Sequence, residues 1–184
     1  MPSAASSVLR LVFAAGLAAL ALPAGAAVSE VSPAGFLVSL REEVPASPQE
    51  AWDALVDIGR WWNGQHSYSG DARNLSLDAR AGGCWCERWL GNSVEHGRVL
   101  HALPVKSLRL EGAFGPLQAM AVNAVLTFRL EPADGKTAIV VTYRVRGSPD
   151  AGLDKIAPAV DGVMSEQVKR LADLLRAPQP AAPR

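Results

Sequence analysis

Between Leu153 and Leu175, apolar residues return every three or four positions (Val160, Val163, Met164, Val168, Leu171, Leu174, Leu175), the spacing of one face of an α-helix. A stripe that long must be buried, so the rest of the chain has to supply an apolar surface to match it. Strands can do so. Phe36 to Val44 alternates, with Phe36, Val38 and Leu40 on one side. Six more runs follow with turn residues between them: Leu75 to Ala79, Cys84 to Leu90, Ser93 to Ala102, Lys106 to Ala113, Ala121 to Leu130 and Thr137 to Arg146. The succession predicts an antiparallel meander of about six or seven strands. Closed by one long terminal helix, it gives an α+β domain whose curved sheet leaves a concave, mostly apolar space under the helix.

The sharpest local signal is Ser47-Pro48-Gln49-Glu50. A serine N-cap, proline at the first helical position and glutamate three residues after the cap form a capping box, so a helix starts here. Ala51, Trp52, Leu55 and Val56 give it one apolar face, and Ile58-Gly59 ends or bends it. Trp61 to Asp71 has no sustained period and reads as a loop or broken helix at the mouth of the space. Trp61 and Trp62 are adjacent, so one is expected inside and the other as a lid. Gly115-Pro116-Leu117-Gln118 interrupts a strand pattern and reads as a bulge or turn at the rim.

Both ends of the chain differ from this pattern. Arg10, the uncharged run Leu11 to Leu22 and the small residues Ala24-Gly25-Ala26 have the layout of a secretory leader over residues 1–26. The run is about a dozen residues, short of the roughly 20 that span a bilayer, so stable membrane insertion is not expected. Residues 27–177 would then form a single domain, and 178–184, rich in proline and alanine, a disordered tail. The expected location is the periplasm or outside the cell. Eighteen basic residues balance eighteen acidic ones, so bulk charge gives no reason to expect nucleic acid as a partner.

Cys84 and Cys86 would be exported into an oxidising compartment. On an extended strand their α-carbons lie about 6.6 to 6.8 Å apart, at the limit of disulfide geometry, so either free thiols or a locally distorted bridge is expected. With His101 they supply too few ligands for zinc, and no metal or cofactor is expected.

A two-residue turn at Gly91-Asn92 would set the register of the hairpin around it. Glu87 then faces His96, Trp89 faces Val94 and Trp85 faces Arg98, all on one side. Two tryptophans mark that side as the inner one, so Glu87 and His96 are candidate acid and base groups in the cavity wall. Trp62, His66, Tyr68, Trp85, Trp89 and Arg98 are the candidate ligand-contacting residues. A nucleophilic serine is not indicated, because no Gly-x-Ser-x-Gly sequence is present.

Several stretches carry a resemblance: Pro45-Ala46-Ser47-Pro48-Gln49-Glu50-Ala51-Trp52, Arg60-Trp61-Trp62, Gly82-Gly83-Cys84-Trp85-Cys86-Glu87, Glu95-His96-Gly97-Arg98-Val99 and Leu108-Arg109-Leu110-Glu111-Gly112. Together they resemble the START-like or SRPBCC superfamily, which includes polyketide cyclases and the ATPase-activator homologues, and within it an exported subgroup. The resemblance implies the helix-grip fold and a cavity for a hydrophobic or amphipathic small molecule. Binding without chemistry is the expected function. The alternatives are a cyclase, dehydratase or hydrolase using Glu87 and His96, and a protein-interaction module.

Overall fold

A computed structural model describes residues 27–177. The expected leader (1–26) and tail (178–184) lie outside the described residues. Eight strands form one sheet: β1 (Ala27–Ser32), β2 (Gly35–Val44), β3 (Leu75–Leu77), β4 (Cys84–Trp89), β5 (Asn92–Leu103), β6 (Ser107–Glu111), β7 (Asn123–Ala133) and β8 (Lys136–Arg146). Two helices accompany it, α1 (Pro48–Val56) and α2 (Leu153–Arg176). The sheet order is β1-β2-β8-β7-β6-β5-β4-β3, antiparallel throughout. The meander therefore folds back until its last strand pairs with β2, and α2 is delivered across the inner face. This is the helix-grip arrangement with one strand more than the sequence pattern predicts. The addition is β1, an exposed edge strand whose pairing is irregular between Ser29 and Ser32 and whose Glu30 has φ 52°. Its Ala-Val-Ser-Glu-Val-Ser sequence alternates too weakly to announce it.

The capping box forms as the residue types require. Ser47 Oγ accepts from the Glu50 backbone N–H, and Glu50 accepts from the Ser47 backbone N–H. The core is built from the inner sides of the long strands. Phe36, Val38, Phe128, Leu126, Ile139, Val141 and Val145 are fully buried in one core with Leu153, Val168, Leu171 and Leu175 of α2. Each such side chain contributes about 1.5 to 3 kcal/mol by leaving water, which is what holds α2 against the sheet. Two β-bulges in β5, one facing β4 and one facing β6, bend that strand and curl this half of the sheet. Toward the C-terminal end of α2 the core is filled. In its N-terminal half Leu153 and Ala157 still pack into the core, while Ile156, Val160 and Val163 border an open space against the curled part of the sheet.

Both adjacent tryptophans turn inward, contrary to the expectation that one would be a lid. Trp61 and Trp62 are 1% and 5% exposed. A 3₁₀ turn at Ile58–Arg60 brings the backbone down over the sheet rather than along it, so successive side chains both meet apolar surface. Each also finds an acceptor for its indole N–H, Trp61 at Leu55 O (3.3 Å) and Trp62 at His66 O (3.0 Å). Buried indoles of this kind need such partners.

Candidate functional site

The space left under α2 is a cavity of about 490 Å³, within the range of small-molecule sites. Phe114 and Leu117 form one wall, and Ile156, Val160, Val163 and Met164 of α2 form the facing one. Pro116 belongs to a 3₁₀ turn, Gly115–Met120, which makes the rim where the sequence shows a break in the strand pattern. The loop after α1 closes the remaining side, with Trp62, His66 and Tyr68 facing in. No Lys, Arg, Asp or Glu lines the cavity among the described residues.

His96 lines its polar end, and β4 and β5 place it there in a way the assumed register does not. The hairpin turn is Leu90-Gly91, not Gly91-Asn92. Both residues have positive φ (44° and 82°), as a type I′ turn requires. Trp89 therefore pairs with Asn92 and Glu87 with Val94. Further along, Cys86 pairs with Glu95 but Trp85 pairs with Gly97, leaving His96 as the unpaired residue of a bulge. Val94 and His96 keep to the inner side, and the bulge reverses the alternation beyond them. That reversal sends Arg98 outward, where it bonds the Gly82 carbonyl and Glu95. Arg98 thus does not reach the cavity, contrary to expectation. Trp89, half-buried beside the turn, does not line it either.

Glu87 and His96 do meet, although they are not opposed in register. His96 Nε2 lies 2.8 Å from Glu87 Oε2, with the carboxylate completely buried and His96 6% exposed. The same carboxylate accepts from the backbone N–H of Tyr68 (3.0 Å) and of Ser69 (2.5 Å). Burial pushes the Glu87 carboxyl up, but hydrogen bonds from Ser69, the Tyr68 backbone and His96 outweigh it and hold the group below its ordinary value. Glu87 is therefore an ionised acceptor, and His96 donates to it through Nε2–H. Glu87 does not line the cavity. It stands behind His96 and fixes both the ring and the loop.

The other end of the loop is tied to α2. Asn63 N–H donates to Gln167 Oε1 (2.7 Å), Asn63 Nδ2 to Glu166 Oε1 (2.6 Å) and Arg170 Nε to the Trp61 carbonyl (2.8 Å). His66 Nε2 sits 3.2 Å from Glu166 Oε2, which gives the cavity a second imidazole backed by a carboxylate. The Asn63 amide, ahead of His66, holds Glu166 below its ordinary value. These α2 partners have no counterpart in the sequence reading. Glu166 lies a hundred residues from His66, and only Gln167 leaves a trace, as a polar residue in the apolar stripe.

Trp85 is 1% exposed and packs edge-on to Trp62 (4.9 Å between ring centroids, 88°). It supports the cavity wall from behind without lining it. Cys84 and Cys86, on either side of it, are bridged, with their α-carbons 5.3 Å apart. That is shorter than an extended strand allows (about 6.6 Å), and the irregularity in β4–β5 pairing falls at the same place.

Comparison with known proteins bears on this geometry. The family model described as polyketide cyclase / dehydrase and lipid transport matches residues 36–176. Comparison with curated proteins gives no match. Among solved structures, CalU16 from Micromonospora echinospora is similar at 18% identity and a TM-score of 0.56, covering 86% of this chain and 88% of its own. The Aha1 dimer from Colwellia psychrerythraea is similar at 17% identity and a TM-score of 0.59, covering 78% and 98%. A conserved protein of unknown function from Enterococcus faecalis, EF2215, is similar at 14% identity and 0.57, covering 85% and 80%. At these identities the structural likeness speaks for the helix-grip fold alone, whereas the family model spans nearly the whole folded domain. The chain therefore belongs to the polyketide cyclase / dehydrase and lipid transport family, within the START-like or SRPBCC superfamily.

Proposed function

We propose that this domain binds a small, largely apolar molecule in the cavity beneath α2, with His96, backed by Glu87, at the polar end. The observation that carries this is the combination of a 490 Å³ space walled by apolar side chains and a single buried polar pair at one end. Purification from the host followed by mass spectrometry under native conditions tests it. A bound organic species released on unfolding is expected. A mass equal to the bare chain, together with no uptake of apolar probes, would count against it.

The same proposal includes export. Its support is the leader-like segment before Ala27 and the bridged cysteines, which belong to an oxidising compartment. Fractionation of cells expressing the full chain should place a shortened protein, starting near Ala27, outside the cytoplasm. A full-length protein in the cytosol would overturn this part.

One observation favours a second reading, in which the pair does acid–base chemistry. His96 Nε2 is held by a buried carboxylate, and Nδ1 has no hydrogen-bond partner among the described residues. An imidazole so oriented can take a proton from a bound molecule. If a turnover is found, Glu87→Gln and His96→Ala should each lower it by about a hundredfold or more while the fold persists. Unchanged turnover in both would exclude the pair.

A further inference from the structure

A cavity wall recognises a polar group through the hydrogens and lone pairs it has left over, and here the hydrogens are almost all spent. His96 gives its Nε2–H to Glu87, and His66 gives its Nε2–H to Glu166. Ser67 Oγ donates to the Gly64 carbonyl (2.7 Å). Tyr68 Oη donates to Gln118 Oε1 (3.0 Å), and Tyr143 Oη to the Gly112 carbonyl (3.0 Å). The Trp62 indole is committed to His66 O. Among the lining residues, the donors that remain uncommitted are those of the Gln65 side chain, exposed at the rim, and the Gly115 backbone N–H. Two further donors without partners, Trp85 Nε1 and Gln167 Nε2, are buried and do not line the cavity. With the imidazoles neutral, lone pairs remain on Nδ1 of both histidines, and one remains on Ser67 Oγ. Behind His96 stands the negative charge of Glu87, and among the described residues no lysine or arginine lines the wall to offset it.

We propose that the cavity selects neutral, largely apolar molecules whose polar end donates hydrogen bonds, alcohols or phenols, over ethers and carboxylates of the same shape. The preference deepens the binding function proposed above and rests on it. An ether or carboxylate brings only acceptors to a wall that is itself an acceptor, so lone pairs face lone pairs. A carboxylate also meets the Glu87 charge across one imidazole, in a site too apolar to screen it. A hydroxyl donates to His96 Nδ1 while its alkyl or aryl body fills the space between Phe114 and Val163.

Competition against a hydrocarbon dye, diphenylhexatriene, separates the two proposals. The competitors are decanol, its methyl ether and decanoate, at about pH 8, where decanoate is ionised. Decanol should displace the dye at a concentration about fivefold below that of the ether, although the ether is the more hydrophobic molecule. It should do so at least about tenfold below that of decanoate. In His96→Leu the advantage over the ether should vanish, read as the ratio of the two displacing concentrations against that variant's own dye affinity. An ether or decanoate that equals or outcompetes decanol on the wild-type protein overturns the preference and leaves the cavity standing. No uptake of dye overturns both. An advantage that survives in folded His96→Leu overturns the assignment of the preference to His96 Nδ1, and if that variant does not fold, the wild-type ranking decides alone.

Discussion

The Glu87 carboxylate has three donors on it, two from the loop backbone and one from His96, and no exposure to water. Replacing it by glutamine leaves one acceptor oxygen for those donors and adds two N–H groups that have no evident acceptor. Leaving buried donors unpaired costs about 1 to 3 kcal/mol each. Glu87→Gln should therefore destabilise the domain by about that much at neutral pH, measured by denaturant unfolding. Because the folded-state value of Glu87 lies below its ordinary 4.5, its stabilisation is complete above that pH and is lost as pH falls through the lowered folded value. The gap between wild type and variant should narrow on that descent, and a constant gap would show that Glu87 is not ionised in the fold. The Glu166–His66 pair contributes far less, since both side chains are more than a third exposed and such pairs stabilise by about 0 to 1 kcal/mol.

At the scale of the element, the site depends on the bulge in β5. Gly97 and Gly112 are pressed together where β5 passes β6. A Cβ on Gly112 would stand against the His96 carbonyl and 2.7 Å from the Gly97 α-carbon. Gly112→Ala should thus push the bulge out, cost about 1 to 3 kcal/mol by overpacking, and lengthen the His96–Glu87 contact. Broadening or loss of the His96 imidazole signal tied to Glu87, read by NMR, would report it, and an unshifted signal would contradict it. The Cys84–Cys86 bridge should behave differently. It closes so short a loop that chain entropy allows it only about 1.5 kcal/mol. Reduction is expected to lower Tm slightly but to speed hydrogen exchange selectively in β4 and β5. Uniform exchange changes across the sheet would argue that the bridge has no local role.

These features also mark where sequence legibility ends. Periodicity and caps announce α1, α2 and the meander because each depends on neighbours within a few residues. The Glu87–His96 contact was also legible, although from a register shifted by two residues, a shift that keeps both side chains on the same side. Arg98 and Trp89 were not legible. A bulge reverses the alternation before Arg98, and a leucine takes a left-handed turn position that glycine or asparagine usually marks. The partners of the loop on α2 were hidden for another reason. Asn63, His66 and Glu166 are joined only by the tertiary fold, across about a hundred residues of chain.

For the whole molecule, the functional conclusion rests on α2 meeting a filled core around Val168, Leu171 and Leu175 and bordering an open space around Val160 and Val163. Met164 and Val168, one turn apart on the helix, divide these regions: Met164 lines the cavity and Val168 belongs to the filled core. The stripe on α2 has the sheet and the cavity as its counterpart. Filling the space should abolish binding without removing the fold. The most direct measurement is a diphenylhexatriene titration of wild type and Val163→Trp, with Tm followed in parallel. Saturable binding of one dye per wild-type chain, lost in a Val163→Trp protein that still unfolds cooperatively, is the expected result. No saturable uptake by the wild type, or equal uptake by both proteins, would contradict the existence of a ligand cavity beneath α2.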